Sequence, residues 1–426
     1  MRAQGAATMA DSGPRRVVVT GMGAVSPVGN SVAQSWESLR AGRGGIAPIT
    51  HFDASRLPVR IGGEVKGFDA AALFGTKEAR RGTAHVHFAM AAAREAVLDS
   101  RLDIAADSAE VGVLIASGIG GLEVIENTTR ILDAEGPRRV SPFAAAMALV
   151  DMAPGMVSID LGARGPNMAV VSACASGADA IGQASNWIRQ GDAVAVLAGG
   201  TEAGITSTGI AMFAAARALS TRNDDPEHAS RPFDRDRDGF VAAEGSAVLV
   251  LEEREHALAR GATIHAELLG YAASADAYHI TAPEPSGDGA IRCVSRALER
   301  AGVRPEDIEY INAHGTGTPL NDLAETRAIK HVFGEAAYSV PISSTKSMTG
   351  HMLGAAGVFE AMVTILAMRN GFLPPTVNLE NQDPECDLDY VPRVGRAVNA
   401  RLAMTTSFGF GGHNACLVFA GGPNPA

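Results

Sequence analysis

Most strand-like segments of this chain are apolar at successive positions and do not alternate between apolar and polar residues. Continuous apolar runs are typical of strands that helices cover on both faces. Alanine-rich segments of helical length separate them, which predicts layers of helix and sheet around one or more parallel or mixed sheets. The predicted strands are 16–20, 111–116, 168–172, 193–198, 247–251, 263–271, 308–313, 341–344 and 415–419, and the predicted helices are 83–100, 176–190, 288–301 and 353–370.

The chain contains a weak internal repeat. The segment AELLGYAASAD at 266–276 resembles RVVVTGMGAVS at 16–26, because each is an apolar strand followed by glycine and small residues. This similarity predicts two related halves at 15–261 and 262–426. Residues 1–14 precede these halves and lack the apolar stretch of a signal peptide. Their sequence predicts a loose tail.

Charge and cysteine content argue against several classes of protein. Lys and Arg number 36 and Asp and Glu number 47, so the net charge of −11 disfavours a nucleic acid or an anionic membrane as partner. No run of about 18 apolar residues predicts a membrane span. The four cysteines are Cys174, Cys293, Cys386 and Cys416. They form no Cys-x-x-Cys pair, which argues against a zinc ribbon and a disulfide framework and predicts that the protein resides in a reducing cytoplasm.

Cys174 is the candidate nucleophile. It lies in MAVVSACASGADAIGQA (168–184), where an apolar strand leads through small residues directly into a helix. Unpaired backbone N–H groups and the helix dipole favour an anion there, which predicts a lowered thiol pKa and a thiolate at neutral pH. The small neighbours leave room for an acyl group. A buried structural cysteine is the alternative.

Two histidines have matched surroundings. His314 follows an apolar strand in IEYINAHGTGTP, and His351 precedes a helix in SSTKSMTGHMLGAAG. Residues at the ends of elements are commonly presented to clefts. A Cys-His-His set suits carbon–carbon condensation, in which the cysteine carries an acyl thioester and the histidines stabilise the enolate formed when a second thioester loses CO2. A hydrolase would more often combine the cysteine with one histidine and Asn or Asp.

Taken together, these segments resemble the β-ketoacyl-[acyl-carrier-protein] synthases, most closely synthase II of type II fatty-acid synthesis. The resemblance runs from about residue 15 to residue 419. Its motifs are specific in combination: SACASG, NAHGTGTP, STKSMTGH, SFGFGGHN, ARALSTRN and RPFDRDRDGF.

The resemblance implies a thiolase-like αβαβα sandwich of two similar five-stranded halves, in a homodimer. It implies an acyltransferase that elongates fatty acyl chains by condensing malonyl-acyl carrier protein with an acyl group on Cys174. His314 and His351 would hold the malonyl thioester carbonyl, and Lys346 would support the site with Glu325 as its ionic partner. Acyl carrier protein is the implied partner. No dissociable cofactor and no metal are expected.

The resemblance also assigns the entrance of the site. Thr316 and Thr318 would bind the phosphopantetheine arm, although they could instead only cap a turn. Gly409, Phe410 and Gly411 belong to a gating loop in which glycines permit movement of the aromatic ring. The backbone N–H groups of the nucleophile and of Phe410 would form an oxyanion hole. A glycine-rich turn without function is the alternative.

Two further sets of residues come from the resemblance. The implied acyl pocket contains Ile119, Ala144 and Phe213. The implied dock for the acidic carrier protein is a basic cluster, which could equally be a solvated surface; it consists of Lys77, Arg80, Arg81 and Arg217.

Two segments depart from the family pattern. The residues at 82–85 are Gly-Thr-Ala-His where the family has Met, Asp and an aromatic residue, and small residues occupy 144–146 where bulkier ones are common. We predict a reshaped acyl pocket with an altered preference for acyl chains.

Three rival functions stay open: a polyketide-type ketosynthase, a thiolase with a second active cysteine and a non-catalytic chain-length partner. The intact Cys174, His314 and His351 argue against the last.

Overall fold

The computed structural model describes residues 15–422, so the predicted tail at 1–14 lies outside the described residues. Over this part of the chain the strands are β1 Val17–Val25, β2 Ala47–Pro48, β3 Ile61–Gly62, β4 Val111–Ala116, β5 Asn167–Met168, β6 Ala195–Glu202, β7 Gly245–Glu253, β8 Ala266–Ala275, β9 Tyr310–Asn312, β10 Ile342–Ser343, β11 Phe372–Leu373, β12 Arg396–Ala397, β13 Leu402–Gly409 and β14 His413–Gly421. The α-helices are α1 Val32–Arg40, α2 Ala70–Phe74, α3 Thr76–Ala79, α4 Ala84–Ser100, α5 Leu122–Glu135, α6 Ala144–Ala148, α7 Met152–Leu161, α8 Ser176–Gln190, α9 Ser207–Ala215, α10 Arg254–Ala259, α11 Asp288–Ala301, α12 Pro319–Phe333, α13 Lys346–Thr349 and α14 Ala356–Asn370.

Ten strands form one sheet in the order β10-β9-β13-β14-β8-β1-β7-β6-β4-β5. β1 and β8 meet antiparallel at its centre, with Val18 opposite Glu267 and Val19 opposite Ala266. Outward from this centre, each side runs through the first, fifth, fourth, second and third of its own strands. The shared order supports the proposed halves at 15–261 and 262–426.

Helices pack in three layers around the two five-stranded parts of this sheet. α4 and α7 pack against the strands of the first half, and α11 packs against β8 and β14 of the second, with α12 beside it. α8 and α14 lie between the halves, since α8 packs on β6 and β4 while α14 packs on β13 and β7. This is the αβαβα sandwich that the resemblance implied. α14 is buried at every position from Ala356 to Met368, because strands of both halves and α8 pack around it.

The two central helices touch backbone to backbone near their N-termini. A Cβ on Gly177 of α8 would lie 2.8 Å from the backbone nitrogen of Val358, and a Cβ on Gly357 of α14 would lie 2.7 Å from that of Ala178. Glycine at both positions permits this close approach. The crossing therefore brings together the two turns that lead into these helices.

The predicted strand at 168–172 is wrong. Only Asn167 and Met168 pair as β5, because the chain then bends into the turn that precedes α8. β13 was missed, since its polar residues gave no apolar signal. It extends through the first half of the SFGFGGHN segment and pairs with β9 and β14. Within residues 15–422, the chain has no helix whose length and hydropathy would suit it to cross a membrane.

Candidate active site

Cys174 lies in a single 3-10 turn, Ala173–Ala175, directly before α8. Ala173 has φ of +51°, a left-handed conformation that is unfavourable for a residue with a Cβ. The Ser176 hydroxyl holds the turn, because it accepts the Ser172 N–H at 2.8 Å and donates to the Ala173 carbonyl at 2.6 Å. The turn places the thiol in the wall of a cavity of about 340 Å³.

The two candidate histidines meet Cys174 at this cavity. His314 follows β9 and His351 follows α13. The Cys174 sulfur and one ring nitrogen of each histidine all lie within 4.8 Å of one another. The imidazole rings are nearly perpendicular, with centroids 5.3 Å apart and an interplanar angle of 83°. These three atoms could ligate a soft metal ion. They are equally suited to a reaction in which Cys174 is the nucleophile and the two histidines form hydrogen bonds.

His351 is oriented by the backbone that follows it. The Leu353 N–H donates to His351 Nδ1 at 3.2 Å, so the neutral ring carries its proton on Nε2. This Nε2 is buried and has no partner within residues 15–422. Burial lowers the pKa of both His314 and His351 well below the ordinary value, and Lys346 lowers it further. At neutral pH both imidazoles are therefore uncharged, and His351 offers an unused N–H to a substrate.

The predicted ion pair between Lys346 and Glu325 is wrong. The Lys346 ammonium instead forms a buried salt bridge with Glu360 of α14 and donates to the His314 carbonyl at 2.6 Å. Glu325 accepts hydrogen bonds from the backbone N–H groups of His314 and Gly315, both at 2.8 Å. Glu325 therefore shapes the His314 loop, and Lys346 is neutralised by a residue that sequence analysis missed. Glu360 gave no signal because it is a single acid in an otherwise apolar helix.

The predicted low pKa of the Cys174 thiol is also not supported. Burial raises this pKa to about 12, although Lys346 and a hydrogen bond from the Phe410 backbone lower it. The desolvation of a thiolate in this apolar site outweighs the stabilisation expected at the start of α8. Cys174 is consequently a thiol at rest, and its proton needs an acceptor when the sulfur reacts.

We expect alkylation of Cys174 by iodoacetamide to accelerate about tenfold per pH unit from pH 7 to pH 9, because only the thiolate reacts and its fraction keeps rising far below the pKa. The rate is measured by mass spectrometry of the Cys174 peptide. The Cys174→Ala variant supplies the background from the remaining cysteines. A rate that levels off below pH 8 would contradict the raised pKa and restore the thiolate predicted from sequence.

The predicted gating loop adjoins the nucleophile. A Cβ on Gly409 would lie 2.7 Å from the Ser172 carbonyl and 3.0 Å from the Cys174 nitrogen, so only glycine permits this contact. Gly411 has φ of +87°. Phe410 lines the cavity, and the centroid of its ring lies 6.4 Å from that of Phe213.

The cavity also contains the residues assigned to the pantetheine arm. Thr316 and Thr318 line it, and their hydroxyl oxygens lie 3.0 Å apart. Thr318 precedes α12 without a side-chain hydrogen bond to its first turn, so the structure gives no support to a capping role for it. Arg217 lines the same cavity and is exposed.

The predicted acyl-pocket residues separate into two places. Ile119 and Phe213 pack against the apolar cluster that includes Cys174, and neither of them lines the cavity. Ala144 is buried on α6, which packs against α5 and α7. The residues directly before the two unusual segments touch each other, because the Arg81 guanidinium lies over the ring of Phe143, 5.1 Å from its centroid. The altered acyl preference stays a prediction.

The remaining basic residues of the predicted dock are exposed. Lys77 lies in α3, Arg80 ends it, and Arg81 forms a 3.6 Å salt bridge with Glu78. Their position on a short surface helix leaves Lys77 and Arg80 accessible to a partner.

Cys416, the first cysteine after the glycine-rich loop that contains Gly409 and Gly411, is fully buried in β14 opposite Thr406. It lies outside the group formed by Cys174, His314 and His351. The arrangement is therefore that of a condensing enzyme with one cysteine and two histidines.

Comparisons with known proteins agree with this geometry. A 3-oxoacyl-[acyl-carrier-protein] synthase 2 from Synechocystis is 55% identical over 412 residues, which cover 96% of this chain and 99% of that protein. The protein of the same name from Coxiella burnetii is 52% identical and covers 95% of this chain and 98% of its own length.

Solved structures of ketosynthases have the same fold. A beta-ketoacyl synthase from Burkholderia phymatum has a TM-score of 0.89 at 37% identity, covering 96% of this chain and 100% of that one. A type II PKS ketosynthase, solved in complex with its acyl-carrier protein and bound to a hexaketide, has a TM-score of 0.89 at 35% identity with the same coverage.

Two domain families match successive parts of the chain. Residues 14–257 match the beta-ketoacyl synthase N-terminal domain, and residues 265–380 match the beta-ketoacyl synthase C-terminal domain. The chain belongs to the beta-ketoacyl synthase family.

Proposed function

We propose that this chain is a 3-oxoacyl-[acyl-carrier-protein] synthase of the synthase II type, which elongates fatty acyl chains. The observation that carries the proposal is the meeting of Cys174, His314 and His351 within 4.8 Å at the base of one cavity. The identities of 52–55% to synthase 2 proteins, against 35% to the ketosynthase of a type II PKS, favour fatty-acid over polyketide synthesis.

The first half-reaction loads the acyl group. The Cys174 sulfur attacks the thioester carbonyl of acyl-carrier protein while its proton passes to a neutral imidazole. His314 is assigned this role, because the lone pair of His351 Nδ1 already accepts the Leu353 N–H. The backbone N–H groups of Cys174 and Phe410 stabilise the oxyanion. The C–S bond to pantetheine breaks, and the imidazolium returns the proton to the departing thiolate.

The second half-reaction forms the new carbon–carbon bond. His351 Nε2–H, together with His314, holds the malonyl thioester carbonyl, and loss of CO2 leaves an enolate. The enolate carbon attacks the acyl-cysteine carbonyl, and collapse of the oxyanion breaks the C–S bond and expels Cys174 thiolate, which takes up a proton from water. Thr316 and Thr318 hold the pantetheine arm, and Phe410 separates it from the acyl chain packed beside Ile119 and Phe213.

A second copy of the chain is the proposed partner at the β5 edge of the sheet. This strand is the last in the sheet. Met168 within it and Val171 shortly after it are 52% and 53% exposed. Unpaired backbone groups beside apolar side chains favour pairing with another strand. Sedimentation as a monomer at micromolar concentration would exclude the dimer.

The proposed reaction is tested with purified enzyme, acyl-carrier protein loaded with fatty acyl chains of several lengths, and malonyl-carrier protein. We expect one equivalent of CO2 and a 3-oxoacyl product two carbons longer. A product extended several times without reduction would instead identify a polyketide-type ketosynthase. CO2 release without a longer product would contradict condensation altogether.

The exposed basic residues of α3 are the proposed dock for the acidic carrier protein. We expect Lys77→Glu combined with Arg80→Glu to raise KM for acyl-carrier protein about tenfold at low salt, because complementary charges become repulsive. The effect should shrink as salt screens it, and kcat should stay unchanged.

The matched control is Arg101→Glu combined with Arg296→Glu, which makes the same charge change at two exposed positions, directly after α4 and on α11. Equal KM values for the two double variants would mean that net charge, and not the α3 surface, governs binding.

A further inference from the structure

Glu202 is a buried carboxylate close to the active site that the reaction steps above do not use. It ends β6 and is 0% exposed. Its hydrogen-bond donors are all neutral and come from two separate turns. They are the hydroxyl of Ser117 at 3.0 Å and the backbone N–H groups of Gly118 at 2.8 Å, Ile119 at 3.3 Å and Gly354 at 3.0 Å.

The two turns contact each other through their backbones. A Cβ on Gly354 would lie 2.4 Å from the Gly118 nitrogen and 2.9 Å from Glu202 Oε2. Glycine on both sides permits this approach, and the Glu202 carboxylate joins the turns by hydrogen bonds.

Each turn reaches a different part of the site. The first carries Ile119, whose side chain packs in the cluster around Cys174. The second begins at His351, whose Nδ1 accepts the Leu353 N–H. The side chains of Ile119 and Leu353 both approach Gly204, with their Cδ1 atoms 3.6 Å and 3.4 Å from the position of a Cβ on that glycine.

We propose that Glu202 is a positioning residue: it holds the His351 turn against the Ile119 turn and thereby fixes the position of His351 Nε2. The inference rests on the proposed function, since it concerns the histidine assigned to malonyl decarboxylation. Glu202 acts through the backbone of Gly354 and Leu353 and touches no reacting atom.

Glutamine has nearly the shape of glutamate but cannot make the same bonds. Each Glu202 oxygen accepts from two donors, whereas a glutamine amide has one accepting oxygen and an NH2 group that donates. In Glu202→Gln, an NH2 group directed to Gly118 and Gly354 would face two N–H donors, and one directed to Ser117 and Ile119 would face the Ile119 N–H, because only the Ser117 hydroxyl can turn to accept. In either orientation at least one backbone N–H loses its acceptor, and we expect the two turns to shift.

The test separates the two half-reactions in Glu202→Gln. We expect the rate of malonyl-carrier protein decarboxylation by acyl-loaded enzyme to fall about 10- to 100-fold, because a displacement near 1 Å is that costly to an oriented group. KM for malonyl-carrier protein and the rate of acyl transfer to Cys174 should each change by less than about threefold. Ser117→Ala, which keeps the carboxylate and three of its bonds, should give a smaller fall in the same half-reaction and serves if the glutamine variant does not fold.

Glu95→Gln is the matched control, because the half-buried Glu95 on α4 also accepts two backbone N–H groups, from Ala24 and Val32, each at 2.9 Å. Its half-reactions should equal those of the wild type. The inference is overturned if Glu202→Gln slows both half-reactions equally or slows neither. A wild-type enzyme that loads no acyl group onto Cys174 would instead refute the proposed function.

Discussion

The Cys174→Ala variant loses condensation by a factor on the order of 10⁴ or more, because no other thiol lines the cavity to carry the acyl group. The loss should appear as the absence of both acyl-enzyme and 3-oxoacyl product. Folding should be retained, since alanine occupies the same turn and the Ser176 bonds do not involve the Cys174 side chain. Product formation is measured with acyl- and malonyl-carrier protein.

Cys416→Ala provides the control for this variant. Cys416 is buried in β14 among apolar side chains, so alanine should be tolerated there. It lies outside the group formed by Cys174, His314 and His351. Condensation should persist within about twofold. Equal loss in both variants would indicate a thiolase-like use of two cysteines, and persistent condensation by Cys174→Ala would remove Cys174 as the nucleophile.

Replacement of Lys346 by methionine lowers the free energy of unfolding by about 3–5 kcal/mol, because it leaves the buried Glu360 carboxylate without its partner. Burial raises the pKa of Glu360 to about 7 even beside Lys346, so the unpaired group will take up a proton. Condensation should also fall steeply, since the His314 carbonyl loses its donor. Urea unfolding and steady-state kinetics measure the two effects.

The double variant Lys346→Met, Glu360→Leu separates stability from catalysis. Removing both charges should recover most of the lost unfolding free energy, because buried ion pairs are commonly replaceable by apolar residues of similar size. Activity should stay low because the His314 carbonyl still lacks the ammonium. A double variant with wild-type activity would show that Lys346 is only the counter-ion of Glu360.

Much of the fold could be predicted from local pattern. The helices 176–190 and 288–301 and the strand 111–116 have their predicted bounds as α8, α11 and β4, because their apolar spacing and end residues are unambiguous. β13 could not be found in this way. It carries buried Thr405, Thr406 and Ser407, and its pairing with β9 and β14 is visible only in the assembled sheet.

The site was predictable to the extent that each residue lies in its own motif. Cys174, His314 and His351 are marked by the ends of elements and by small neighbours. The acidic residues of the site could not be predicted, because the choice of carboxylate that pairs with Lys346 depends on how α13 and α14 pack in space. Glu360 and Glu202 are single acidic residues in apolar segments, and only the fold shows what they contact. The prediction of a low pKa for the Cys174 thiol failed because the sequence indicates where a helix starts but not how deeply the thiol is buried.

The proposed reaction begins when an acyl group passes from acyl-carrier protein to the Cys174 sulfur between two neutral histidines. Mass spectrometry of the intact enzyme after incubation with acyl-carrier protein alone detects this step. We expect a gain of one acyl group per chain, located on the Cys174 peptide and discharged when malonyl-carrier protein is added. An unchanged mass, or an acyl group on another residue, would contradict it.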